Sequence, residues 1–383
     1  MKVFAREWTR ELRAKYESES KYSRPFVVPL ALESRFSLER LKIEKWFDAL
    51  PEDSKSDMLK RLRSETSQQH FGAYYELVMD QFFKNLGYLV DVHPCIRGSN
   101  PDLLIKSKIL DKPIVVEVAT VFDDPDWQNE EKKLRLIIKE LSGIKHYFLL
   151  GLNVESTPIP EKVNYNSLGQ FVISWFDSFD PRVTNAAQET KCEIDGFKLS
   201  LSLFPKKPKF RKEKGSIIGS YGLPARFVGN EQLRNALKKK CNRYAFVKED
   251  GYPYIVSLSL YSVYADNEDI VDILFGKTQV VIKWDETGRT VAEYGQRAAD
   301  GLCKPNRNTR LSGVIAIKTS GMLDSKNKER RTHQMAFIRN PHACIHLSDD
   351  LLSGYPQFKK TKDNGKSVTY DWVDKQSGLF FDC

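Results

Sequence analysis

The chain lacks any apolar run of the roughly eighteen residues that a membrane-spanning helix requires, and its first fifteen residues are charged, with no apolar stretch of the secretory type. A cytoplasmic protein is therefore expected. Cysteine is scarce, at positions 95, 192, 241, 303, 344 and 383, and no C-x-x-C pair occurs. That spacing excludes a disulfide scaffold and predicts reduced thiols. No Gly-x-Ser-x-Gly elbow is present, which leaves a Ser-His-Asp hydrolase without support. Nor is there a repeat of fixed period or a low-complexity tract, so solenoid and disordered classes are set aside. Gly365-Lys366-Ser367 looks like the end of a phosphate loop, but Lys360 stands where its first glycine belongs. His342, Cys344 and His346 alternate along one short stretch, and adjacent same-face donors seldom close a tetrahedral zinc site.

What is present is the composition of a folded protein, 41% hydrophobic and 29% charged over 383 residues. That length predicts two main domains and an arm. A helical arm is expected over 1–65, with helices at 7–16 and 38–50 and a docking role only; a central domain over 66–204; a basic linker over 205–230; and a C-terminal α/β accessory domain over 231–383. Within the central domain the pattern reads helix 67–86 stopped by Gly87, strands at 88–92, 102–105 and 114–121, helix 127–141 and strand 146–153. The order is α-β-β-β-α-β, an α/β class with a mixed sheet. A net charge of +9 fits a partner with a phosphate backbone, although the excess is spread along the chain.

Three acids stand where acids are unexpected. Glu117 interrupts an otherwise apolar run suited to a strand buried on both faces. A lone carboxylate there must be protonated, paired with a buried cation or bound to a metal. Asp102 follows Pro101 at the start of the preceding strand, so a hairpin brings the two carboxyls together, though Asp is also a favoured turn residue. Glu76 shares a helical stripe with Gly72, Ala73, Met79 and Phe83, and it suits either metal assistance or a pair with a core Arg or Lys. Convergent carboxylates form the hard-oxygen site that Mg²⁺ or Mn²⁺ takes, and such an ion supports phosphodiester hydrolysis.

These residues resemble the PD-(D/E)xK, or restriction-endonuclease-like, nuclease superfamily, over about residues 67–153. The resemblance implies a restriction-endonuclease-like core, with Asp102 and Glu117 as metal ligands and Glu76 as an assisting one. It also implies Mg²⁺-dependent endodeoxyribonuclease activity and a bacterial defence or restriction role. The sequence departs from the pattern at Ala119, where the superfamily usually has Lys. Lys133, beside the apolar stripe of the following helix, is the expected migrated cation. A wider resemblance, through His70-Phe71-Gly72-Ala73-Tyr74-Tyr75-Glu76-Leu77, the 269–276 stretch, Asn308-Thr309-Arg310 and Asn340-Pro341, is to a group of uncharacterised bacterial proteins and brings no function with it.

For nucleic-acid contact the expected residues are Lys206, Lys207, Lys209, Arg211 and Lys212 in the basic linker, with Phe204 and Phe210 for stacking. The helix 233–244, with Arg234, Lys238, Lys239, Lys240 and Arg243, is a second basic surface. DNA is the expected partner and a homodimer is left open. The alternatives are a catalytically inactive nuclease fold that binds nucleic acid or serves assembly, and an RNA-processing nuclease or toxin.

Overall fold

The computed structural model describes residues 1–17, 19, 24–108, 110–121, 127–155, 158–222, 230–260, 266–284, 290–324, 327–363, 368–373 and 380–381. Gly365-Lys366-Ser367 lies outside them. Among the described residues the first sixty-odd form four α-helices where two were expected: α1 (Arg6–Lys15), α2 (Val27–Leu32), α3 (Ser37–Asp48) and α4 (Glu52–Leu62). Helix α4 starts after Pro51, has Glu52 and Asp53 in its first turn and Lys60 and Arg61 in its last, and buries Met58 and Leu62. Both charge biases favour the helix dipole, and the two apolar residues four apart supply the docking face. Helix α5 (Ser67–Asn85) ends at Gly87, whose φ of 85° is the left-handed geometry that stops a helix.

Strands β1 (Leu89–Val92), β2 (Leu103–Lys106) and β3 (Ile114–Val121) then form an antiparallel meander. After β3 the chain enters a second unit. There α6 (Trp127–Ser142), β4 (Lys145–His146), β5 (Phe148–Val154), α7 (Tyr165–Asp177), β6 (Gln188–Ile194), β7 (Phe197–Pro205), β8 (Gly215–Ser216) and β9 (Ile218–Gly222) follow in order. Strands β6, β7, β5 and β9 make a four-stranded sheet with its own core around Phe148, Leu150, Leu168, Phe176 and Leu201.

The chain resumes with α8 (Asn230–Cys241), α9 (Phe246–Glu249), β10 (Tyr254–Leu260), α10 (Asn267–Phe275), β11 (Thr278–Trp284) and β12 (Thr290–Arg297). It ends with β13 (Gly313–Leu323), β14 (Glu329–Arg339), β15 (Gln357–Asp363), β16 (Val368–Val373) and β17 (Phe380–Phe381). Strand β10 lies parallel to β3 on one side and to β13 on the other, inside a nine-stranded mixed sheet ordered β1-β2-β3-β10-β13-β14-β15-β16, with β17 beside β14. The protein is thus α/β with a large mixed sheet. Strands β3 and β10 are almost wholly buried because both are covered on two faces, and the polar side chains they carry there, Glu117, Ser257 and Ser259, are buried with them.

Two compact units result, one of Met1–Thr9, Leu30–Asp123 and Phe227–Cys383, the other of Arg10–Pro29 and Asp124–Arg226. This differs from the expected boundaries at 65, 204 and 230. The helix and strand expected at 127–141 and 146–153 exist as α6 and β5, but they belong to the second unit, and the parallel neighbour of β3 is β10. The basic run is likewise no linker between domains, since it lies within the second unit between β7 and β8. Among the described residues the C-terminal part forms no separate unit: β10 and β13 to β17 extend the sheet that β1 to β3 begin, while β11 and β12 pair with each other. Among the described residues no helix is long and apolar enough to cross a membrane, and Cys95, Cys192, Cys241, Cys303 and Cys344 form no disulfide.

Candidate metal centre

The β2–β3 register pairs Leu103 with Val116, which sets Asp102 opposite Glu117. Along β3, Val115, Glu117, Ala119 and Val121 share one face by strand alternation. Three of them pack in a core with Leu233, Leu237 and Cys241 of α8, so the fourth, Glu117, is carried against the end of that helix. There its fully buried carboxylate accepts from Lys240 Nζ, from Arg243 Nη1 at 2.7 Å and from the Tyr244 hydroxyl. Two cations and a hydroxyl compensate the burial that the apolar strand imposes. Burial, reinforced by Glu117, pushes the Tyr244 hydroxyl well above its ordinary pKa and keeps it a donor.

Asp102 is placed differently. One oxygen accepts the Val118 N–H at 2.7 Å. Burial, then the Glu76 and Glu117 carboxylates, push its carboxyl up to about 7, against the opposing pull of Lys240 and of the Val118 N–H. Asp102 is the acid of the three with no cation hydrogen-bonded to it among the described contacts, and its proton is correspondingly hard to remove.

Glu76, on α5, is 6% exposed. Arg61 of α4 grips it with both ends of its fork, at 2.6 and 2.5 Å, and also reaches Asp57 at 2.8 Å. His93 Nε2 lies 2.9 Å from the same carboxylate. Burial alone would raise the Glu76 pKa, but the Arg61 and His93 bonds prevail and hold it below the usual range. His93 in turn has its pKa raised, chiefly by the hydrogen bond to Glu76, against burial. Its φ of 49° is an uncommon backbone conformation for a residue with a side chain, and its N–H donates to the Asp102 carbonyl at 2.9 Å. The turn after β1 therefore directs the imidazole at the acids.

Glu76, His93 and Asp102 each offer a donor atom, all within 4.8 Å of one another. Two carboxylates and an imidazole suit Mn²⁺ and the softer divalent ions better than Mg²⁺, which prefers oxygen throughout. The donor set therefore fits a metal, while Glu117 faces its own cations. Of the residues expected from sequence, Glu76, Asp102 and Glu117 are brought together. Lys133 lies in the second unit, where its ammonium donates to the Ile159 carbonyl at 2.8 Å and pairs with Glu161 at 2.7 Å and Glu130 at 3.5 Å. Lys240 is paired with Glu117.

In the basic run, Lys206 bonds the carbonyls of His146 at 2.9 Å and Glu213 at 3.2 Å, and Arg211 bonds Lys206 O and Asn185 Oδ1 at 3.0 and 2.8 Å. These two tie down their own loop. Lys207, Lys209 and Lys212 are exposed, with Lys209 over the Phe210 ring at 4.8 Å. Comparison with known proteins returns no matching family model, no matching curated protein and no matching solved structure. The resemblance to the nuclease superfamily thus rests on the residues themselves.

Proposed function

We propose that the chain is a divalent-metal-dependent nuclease acting on DNA, with a restriction-endonuclease-like core formed by α5, β1, β2, β3, α8 and β10. In this core α8 and β10 stand in for the helix expected at 127–141 and the strand expected at 146–153, and residues 124–226 lie between β3 and α8. The observation that carries the reading is the convergence of Glu76, His93 and Asp102 within 4.8 Å, beside a lysine fixed on Glu117. Glu76, His93 and Asp102 would hold the ion, Mn²⁺ in preference to Mg²⁺. Bound there, it supplies the Lewis acidity that polarises a phosphoryl oxygen. Glu117 orients Lys240 and Arg243, whose positive charges offset the negative charge that develops on the phosphate in the transition state. Ala119, too small to do so, leaves room for α8 to deliver Lys240.

The test is Mn²⁺ titration by calorimetry together with incubation of supercoiled, linear and single-stranded DNA and RNA with Mn²⁺, Mg²⁺ or EDTA. Mn²⁺-dependent DNA cleavage, lost in Asp102→Ala, is the expected result. A second reading, a catalytically silent module that binds nucleic acid, is favoured by Arg61, whose fork already neutralises Glu76. That reading predicts no Mn²⁺ binding in the wild type and none in Arg61→Ala.

A further inference from the structure

A second feature of the first unit takes no part in the acid centre. A cavity of about 680 Å³ opens where β14 and β15 meet the 340–356 connection, lined in part by Arg339, Asn340, His346, Asp349, Lys359 and Lys360. Its wall is rigidly built. Arg339 donates to the carbonyls of Leu347, Ser348 and Leu351 at 3.0, 2.9 and 3.1 Å and to Gln357 Oε1 at 2.9 Å. Asn340, 2% exposed, donates to the Leu311 carbonyl at 2.7 Å. Arg339 is thus committed to holding the wall, and among the described lining residues Lys359 and Lys360 add positive charge and Asp349 a carboxylate. Across the β15–β16 hairpin Lys359 stands opposite Asp371, so an incoming anion competes with that carboxylate.

The cavity wall is hydrogen-bonded through one segment to the end of α8. Cys344 N donates to the Thr309 carbonyl at 2.7 Å; the Asn242 amide donates to Asn308 Oδ1; and Arg310 Nη1 donates back to the Asn242 carbonyl at 3.1 Å. Asn242 lies between Lys240 and Arg243, the two cations that meet Glu117. Asn308, at φ 56°, is locked by its donation to the Leu302 carbonyl at 2.7 Å. Lysines and arginines therefore recur from the acid centre, through Arg310, to the cavity. A small anion would need one such group, whereas a phosphodiester chain needs a series of them.

We infer that this cavity seats a backbone phosphate of the nucleic-acid strand whose reacting bond lies at the acid centre, with Lys359 and Lys360 as its contacts and Arg310 as the step between. The inference rests on the nuclease reading of the centre. It is tested with fluorescein-labelled duplex and single-stranded oligonucleotides in EDTA, by anisotropy across a salt series. Lys359→Gln with Lys360→Gln, which removes that one phosphate contact, should lower the slope of log affinity against log salt by about 0.9 on duplex or about 0.7 on a single strand. Arg310→Gln, which removes one further contact, should lower it by about the same amount. Mn²⁺ affinity should be unchanged in all variants. An unchanged slope, or a wild type that binds inorganic phosphate but no oligonucleotide, overturns the inference. Slope loss in a protein that never cleaves sinks the nuclease reading alone, and intact cleavage with an unchanged slope sinks this one alone.

Discussion

Asp102 should cost the fold stability, and replacing it with Asn should return that stability. Its carboxyl is raised from 3.8 to about 7 by burial and by the Glu76 and Glu117 carboxylates. Between those values the folded state keeps a proton that the unfolded chain has released, so stability falls as pH rises through the window. Above about pH 7 the loss is complete. A shift of roughly three units corresponds to about 4 kcal/mol at most. In Asp102→Asn the amide oxygen still accepts the Val118 N–H and carries no charge. The variant should match the wild type near pH 4 and exceed it increasingly up to pH 8, where a gap of about 4 kcal/mol corresponds to a melting difference on the order of 10 °C. Thermal melts of both proteins from pH 4 to pH 8 measure this directly. Adding Mn²⁺ at pH 8 should narrow the gap, because a ligand that binds only the folded wild type stabilises only the wild type. A gap that does not vary with pH, or a wild type more stable at pH 8, would refute the reasoning.

Two further outcomes follow from the buried groups. Glu117→Ala removes the shared acceptor of Lys240, Arg243 and Tyr244 and should destabilise the fold by about 2 kcal/mol or more, read by urea unfolding. His70 and His333 are held down to about 4 and about 3, chiefly by burial. Below about pH 6.5 the unfolded chain takes up protons that these folded imidazoles refuse, so each lowers stability by up to about 1.4 kcal/mol per pH unit as pH falls from there towards 4. Asp102 acts in the opposite sense over the same range, so the slope is best measured in Asp102→Asn, where His70→Gln should roughly halve it; no change in slope would remove His70 from the account.

Most local features were legible because local physics decides them. The stripe of α5, its stop at Gly87 and the apolar run of β3 depend on residues a few positions apart. That Glu117 must be protonated, paired with a cation or bound to a metal was equally legible, since an isolated carboxylate in that run is too costly to bury. Which cation was not. Lys240 and Glu117 are separated by 123 positions, because the larger segment of the second unit, Asp124–Arg226, lies between β3 and α8. Helix α6 and strand β5 follow β3 with suitable periodicity, and periodicity carries no information about which sheet a strand joins. Arg61 was hidden for another reason: α4 contributes only a narrow apolar face, with Met58 and Leu62 buried, and its polar composition reads as surface. His93 gave no pattern at all, as its role depends on a left-handed backbone turn.

Lys240 provides the sharpest test of the proposed chemistry. Its ammonium and Arg243 both meet Glu117, so Lys240→Ala leaves that carboxylate with Arg243 and the Tyr244 hydroxyl, and the fold should survive. Glu76, His93 and Asp102 are untouched, so Mn²⁺ binding should persist. If Lys240 stabilises charge developing on the phosphate, single-turnover cleavage should fall by about 10²–10³, the usual cost of removing one such electrostatic contact. Lys133→Ala, whose cation is bound to Glu161 and the Ile159 carbonyl, should leave the rate unchanged. Returning a lysine to the strand should not rescue the loss. Ala119 shares its core with Leu233, Leu237 and Cys241 of α8, and a lysine side chain placed there would overfill that core and push the helix away. Ala119→Lys should therefore melt below the wild type, and the double variant with Lys240→Ala should be less stable and no faster than Lys240→Ala alone. A wild-type rate in Lys240→Ala would remove this residue from the chemistry. Full rescue by Ala119→Lys would show that the strand position can still serve and that the packing of α8 does not exclude it.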